Sequence, residues 1–125
     1  QFTQHVVVNV AKLVHAQDDA ELRRSIASSD IVNIDGMGVV WGARLLGQAV
    51  PERVAGVDLF DALVELAAAR AYPVFLLGAR PEVVAEVDLV LRKRLPGLKI
   101  AGVHDGYFWA DEEAVVDRIG RSGAR

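Results

Sequence analysis

Asp35 is the residue best placed to do chemistry in this sequence. It follows the apolar run Ile31-Val32-Asn33-Ile34 and precedes a glycine-rich turn, Gly36-Met37-Gly38, with Gly42 beyond. A carboxylate in such a place can accept a proton as a general base, or bind a hydroxyl group. It can equally cap a helix that begins at Gly36 or Gly38. Residue chemistry alone gives the two readings equal weight.

The glycines loosely match a dinucleotide-binding turn, in which backbone N–H groups approach a phosphate at a helix N-terminus. They serve equally to make a plain strand-to-helix turn. That match also asks for an acidic residue about 20 positions on, at the end of a second strand, to hold ribose. Asp58 has this spacing but is expected to open a helix. Asp35 itself stands just before the first glycine, where a carboxylate would meet incoming phosphate unfavourably. A base or hydroxyl-binding group suits it better.

Further candidates lie around it. Arg53, beside Glu52, Gly56 and Asp58, can clamp a diphosphate through two parallel hydrogen bonds. The commoner alternative is a surface ion pair with Glu52 or Asp58. Asn9 can hydrogen-bond a sugar or base, or satisfy its own turn. Gly78 can let a nucleotide reach the backbone, or simply close a strand. Tyr107, Phe108 and Trp109 can stack on a base or a partner, with core packing expected of Phe108. His5, His15 and His104 are scattered, no cluster has metal-ligand spacing, and no metal is expected. The sequence holds no P-loop, nucleophile elbow or cysteine.

The elements that must position these groups alternate along the chain. Val6–Val8 reads as a short strand, followed by helices over Val10–Ala16 and Ala20–Ala27, the second capped by Asp18 or Asp19. Ile31–Ile34 is a second strand, and the helix after Gly36 runs to Gly47. A loop is expected over Gln48–Val57, then a helix over Leu59–Arg70 capped by Asp58, with Leu59, Leu63, Leu66 and Ala67 on its apolar face. Pro73–Leu77 is a third strand. Pro81 opens a helix whose buried stripe is Val83, Val84, Val87, Val90 and Leu91. Leu98–Val103 is a fourth strand. Asp111 is expected to cap a last helix over Glu112–Gly120, and a further strand would begin near Ser122–Arg125. Continuous apolar strands alternating with helices predict an α/β, Rossmann-like three-layer fold with a mostly parallel sheet covered on both faces. In such sheets ligands bind beyond the carboxyl ends of the strands. Asp35, Asn9 and Gly78 all stand at such ends.

Bulk properties narrow the class. The chain has 125 residues, 52% apolar and 25% charged, and reads as one globular domain without repeats or linkers. The net charge of -3 gives no electrostatic footprint for nucleic acid. The apolar runs fall well short of the ~20 residues that span a bilayer. No secretory signal is legible.

Several stretches resemble, in order and spacing, the WecG/TagA/CpsF glycosyltransferases. They are Asn9-Val10-Ala11-Lys12-Leu13-Val14-His15-Ala16, Asp35-Gly36-Met37-Gly38-Val39-Val40-Trp41, Glu52-Arg53-Val54-Ala55-Gly56-Val57-Asp58-Leu59-Phe60, Val74-Phe75-Leu76-Leu77-Gly78 and Gly106-Tyr107-Phe108. The resemblance covers nearly the whole chain. It implies an inverting enzyme with a Rossmann-like fold that moves an N-acetylhexosamine, of the N-acetylmannosamine type, from a UDP donor. The implied acceptor is a polyprenyl-diphosphate-linked sugar, in cell-surface polysaccharide or teichoic acid synthesis. Location would be cytoplasmic, peripheral at the inner membrane face. By the same resemblance Asp35 is the catalytic base and Arg53 acts on the donor diphosphate or leaving group. Asn9 matches the asparagine of a Thr-x-Asn motif, and Gly36, Gly38, Gly78 and Asp58 join it as substrate-binding candidates. No cofactor is implied.

Two departures stand out. Val7 replaces the threonine of Thr-x-Asn, removing one hydroxyl contact. The family also continues past the position of Arg125, into a strand and a Gly-x-Pro-x-Gln-Glu-type loop at the donor site and then into membrane-proximal segments. The chain is therefore expected to be the N-terminal part of a longer domain, with an open sheet edge that favours homo-oligomers. Two rival readings remain: a non-catalytic nucleotide-sugar-binding module, and a dinucleotide-dependent oxidoreductase domain.

Overall fold

The computed structural model describes residues 3–50 and 52–125, and the described chain divides into two compact units, 1–60 and 61–125. Among the described residues it is a mixed α/β protein with six helices and four short strands, paired in parallel as two small sheets.

The first unit begins with strand β1 (His5–Val8), helix α1 (Val10–Asp18) and helix α2 (Ala20–Ser28). Strand β2 (Ile31–Ile34) and helix α3 (Met37–Leu45) follow, and then the first residues of α4 (Gly56–Ala69), within which the boundary between the units falls. The chain turns sharply between elements because side chains satisfy the free N–H groups at helix starts. The Asn9 carbonyl oxygen accepts from the Lys12 N–H at 2.9 Å. Asp19 accepts from both Glu21 and Leu22 N–H at 2.9 Å, which ends α1 and opens α2 one residue later. β1 and β2 run parallel, with Val8 opposite Ile34. Val8, Ala16 and Val40 are buried in this unit.

The second unit holds the rest of α4, strand β3 (Pro73–Leu77), helix α5 (Pro81–Arg94), strand β4 (Lys99–His104) and helix α6 (Glu112–Arg121). β3 and β4 are parallel, with a register irregularity between Val74 and Phe75. Val64 and Ala67 of α4, Leu76 of β3, Val84 and Leu91 of α5, and Leu98 form one buried cluster. Arg94, in the last turn of α5, donates to Asp61 of α4 at 2.8 Å. The Arg125 N–H donates to the Pro73 carbonyl at 2.9 Å, but the strand expected near Ser122–Arg125 is not seen: α6 runs to Arg121 and a turn follows.

The alternation of strands and helices and the parallel pairing agree with the sequence reading. The described strands form two two-stranded sheets, one in each unit. β2 pairs with β1 on one side, while Ile31 and Val32 are exposed. The helices show the same one-sidedness. On α4 it is Val64 and Ala67 that pack inward, whereas Leu63 and Leu66 are exposed. On α5, Val84 and Leu91 are buried, and Val83 and Val90 are exposed. Each of these helices carries more apolar residues than one stripe can bury, so periodicity marks the helix without marking which stripe faces the core. Asp111 does occupy the N-cap position of α6, but its side chain makes no capping bond.

Candidate functional site

The site is built from the bottom of the first unit's sheet upward. The ladder that joins β1 to β2 runs one step past the strands, with the Asp35 N–H donating to the Val8 carbonyl at 2.9 Å. That bond fixes the Asp35 backbone at the carboxyl edge of the sheet. Asn9 follows Val8 on the neighbouring strand, so the parallel register brings Asn9 and Asp35 to the same edge.

The chain then leaves β2 through Gly36, whose φ of +127° is backbone that side-chain-bearing residues rarely adopt. A side chain there would meet open space, so the requirement is conformational. Gly38 has a different job: a Cβ on it would come within 3.3 Å of Val10 Cγ2, so it lets α3 lie close to α1. At the head of α3 no side chain caps the helix. The capping role considered for Asp35 at Gly36 or Gly38 is therefore not the one it has.

Its carboxylate is engaged elsewhere. After α3 the chain returns past β2, and the Val54 N–H donates to the Ile34 carbonyl at 3.1 Å. This return lays the 52–56 segment beside the end of β2 and brings a cation and a backbone donor to Asp35. Arg53 Nε lies 3.5 Å from Asp35 Oδ1. The Gly56 N–H donates to Asp35 Oδ2 at 3.3 Å. Gly56 is the first residue of α4, so Asp35 caps that helix across the fold and sits at its electropositive end. This also explains why α4 starts earlier than the sequence reading placed it, and why Asp58 is an exposed first-turn residue and not the cap.

The other candidates are placed as follows. Arg53 pairs with Asp35, and not with the Glu52 or Asp58 carboxylates considered from sequence. Asn9 uses its carbonyl oxygen to cap α1, leaving its amide N–H groups as what it can offer a ligand. Lys12 Nζ donates to the Val7 carbonyl at 2.8 Å, tying α1 to β1 at the same end. A groove of about 410 Å³ runs beside β2 and the returning segment, lined by Asn33, Ile34, Val50, Glu52 and Val54 among others. Gly78 closes β3 in the second unit, with φ +136° and its N–H donating to the His104 carbonyl at 3.0 Å. In that unit Phe108 is half-buried and stacks on Trp109, while Tyr107 and Trp109 are exposed. Among the described residues no group of three or more His, Cys, Asp or Glu side chains is placed to hold a metal ion.

Sequence reasoning missed the Gly56 amide. A backbone donor leaves no mark in residue type; the only signal was its place in the stretch Glu52-Arg53-Val54-Ala55-Gly56-Val57-Asp58-Leu59.

The structure thus brings a carboxylate, an arginine and a helix N-terminus together at the carboxyl edge of a parallel strand pair in an α/β protein. The sequence model described as the glycosyl transferase WecG/TagA/CpsF family matches residues 1–125, and the chain belongs to that family. Membership makes it a transferase of the glycosyl class and implies work in cell-surface polysaccharide synthesis. It further suggests, in general terms, a nucleotide-sugar donor and a lipid-linked acceptor. No helix of the described residues is long and apolar enough to cross a membrane.

Proposed function

We propose that the chain carries the acceptor-activating residues of an inverting glycosyltransferase site, with Asp35 as general base. The observation that carries this reading is the Asp35 carboxylate at the carboxyl edge of the sheet, held by the Gly56 N–H and paired with Arg53. Asp35 takes the proton from an acceptor sugar hydroxyl, and that oxygen attacks the anomeric carbon. The bond from the anomeric carbon to the diphosphate oxygen breaks, and the nucleoside diphosphate leaves with the electron pair. Attack and departure occur on opposite faces of the sugar, so the configuration inverts.

The same geometry constrains Arg53. In a single displacement the base and the leaving group stand on opposite sides of the anomeric carbon, with the sugar between them. An arginine within 3.5 Å of the base is on the base's side. To steady the departing diphosphate it must swing away from Asp35. Both side chains are more than a third exposed, 45% for Arg53 and 37% for Asp35, so the pair is weakly held and easily exchanged. Arg53 then pairs with Asp35 in the free protein and with the donor diphosphate in the loaded one.

The donor is a UDP-N-acetylhexosamine of the N-acetylmannosamine type, and the acceptor a polyprenyl-diphosphate-linked sugar presented at the membrane surface. Asn9, Gly36, Gly38 and Asp58 of the first unit, and separately Gly78 of the second, are the substrate-binding candidates, and the reaction draws no metal from this chain. Support comes from the family, from the edge position of Asp35 and from the arginine within reach of it.

Separate calorimetric titrations with UDP, UDP-N-acetylhexosamines and NAD(P) test the donor assignment. Heat from UDP and its sugars with none from NAD(P) is expected; NAD(P) binding without UDP binding would overturn it.

A further inference from the structure

We infer that the backbone N–H of Gly56 is a positioning group for Asp35, and that of the carboxylate's two protein partners it alone keeps its hold throughout the reaction; this rests on the reading of Asp35 as base. Oδ1 faces Arg53, a long side chain that the displacement geometry draws off toward the diphosphate. Oδ2 accepts from Gly56, whose N–H is fixed in the first turn of α4 and cannot swing. The hold depends on a backbone donor at a helix start, where the N–H has no partner within its own helix. It does not depend on the absence of a side chain: a Cβ on Gly56 would lie 3.9 Å from Asp35 Oδ2 and 3.9 Å from Val7 Cγ1, an ordinary contact distance. Alanine therefore fits at this position with the N–H kept, while proline removes the N–H and suits the first turn of a helix.

Gly56 touches no reacting atom in this scheme. It acts through Asp35, so its loss slows the chemical step and leaves donor binding alone. Gly56→Pro is expected to lower kcat by about ten- to a hundredfold, the scale of a misplaced catalytic group. Gly56→Ala should stay within about threefold of the parent, since it keeps the donor that the alignment needs. Calorimetric affinity for UDP should be unchanged in both.

A second measurement needs no variant at position 56. In the 125-residue chain the Gly56 amide proton resonance should move as the Asp35 carboxyl titrates, and the movement should vanish in Asp35→Asn. The neighbouring charged groups, Arg53 and Asp58, are present in both samples, so the difference reports Asp35. Equal kcat in Gly56→Pro and Gly56→Ala, with Asp35→Asn inactive, overturns the positioning role and leaves the base standing. A Gly56 resonance indifferent to Asp35 does the same. An Asp35→Asn enzyme that turns over normally overturns the base assignment, and the positioning role with it.

Discussion

Arg53 Nε lies 3.5 Å from Asp35 Oδ1, across a turn of chain that leaves the sheet at one residue and returns to it at the other. The contact joins the group proposed to take a proton to the group proposed to receive the leaving diphosphate. Its weakness is part of its use. An exposed pair of this kind contributes at most about 1 kcal/mol to folding. Arg53→Ala is accordingly expected to change the free energy of urea unfolding by no more than about 1 kcal/mol. The same variant should weaken UDP binding by roughly ten- to a hundredfold, the worth of a hydrogen bond to a charged group. A large loss of stability with unchanged UDP affinity would show that Arg53 serves the fold and not the donor.

The two glycines that bracket the head and middle of α3 should answer oppositely to alanine. Gly36 has φ +127°, so Gly36→Ala should destabilise by about 1–3 kcal/mol through backbone strain. Gly42 lies inside α3 with open space around it, so Gly42→Ala should stabilise by about 0.5–1 kcal/mol. Urea titration of the two variants checks the pair. Equal effects would mean that Gly36 is not held in its turn.

Two aspartates at helix starts make a similar contrast. Asp19 accepts two backbone N–H bonds at the head of α2, so Asp19→Ala should cost about 1 kcal/mol. Asp111 makes no capping bond at α6, and Asp111→Ala should fall within about 0.5 kcal/mol of the parent. Chemical denaturation read by far-ultraviolet circular dichroism distinguishes them.

Much of this was legible in the residues, and what was not has physical causes. Short runs such as Pro73–Leu77 and Ile31–Ile34 declared themselves as strands because β-branched and apolar residues were bounded by Gly, Pro and Asp. The edge position of Asp35 followed from the end of such a run. Its partners did not follow. The ion pair with Arg53 spans 18 positions, and local reading assigned Arg53 to its sequence neighbours Glu52 and Asp58 instead. The Gly56 donor is backbone and has no signature of its own. The inward stripes of α4 and α5 were misjudged in part because Leu63, Leu66, Val83 and Val90 are as apolar as the residues that are buried. Helical period names a helix; which stripe turns inward is decided by what packs on it.

The central claim is that Asp35 removes the acceptor proton, and Asp35→Asn tests it most directly. Asparagine keeps the shape and can still accept from Gly56, but it cannot take up the proton. With UDP-N-acetylhexosamine as donor and a polyprenyl-diphosphate-linked sugar as acceptor, single-turnover transfer should fall by about 10²–10⁴-fold, the usual contribution of a general base. UDP affinity and far-ultraviolet circular dichroism should match the parent. Transfer by Asp35→Asn at a rate within a few-fold of the parent would contradict the account.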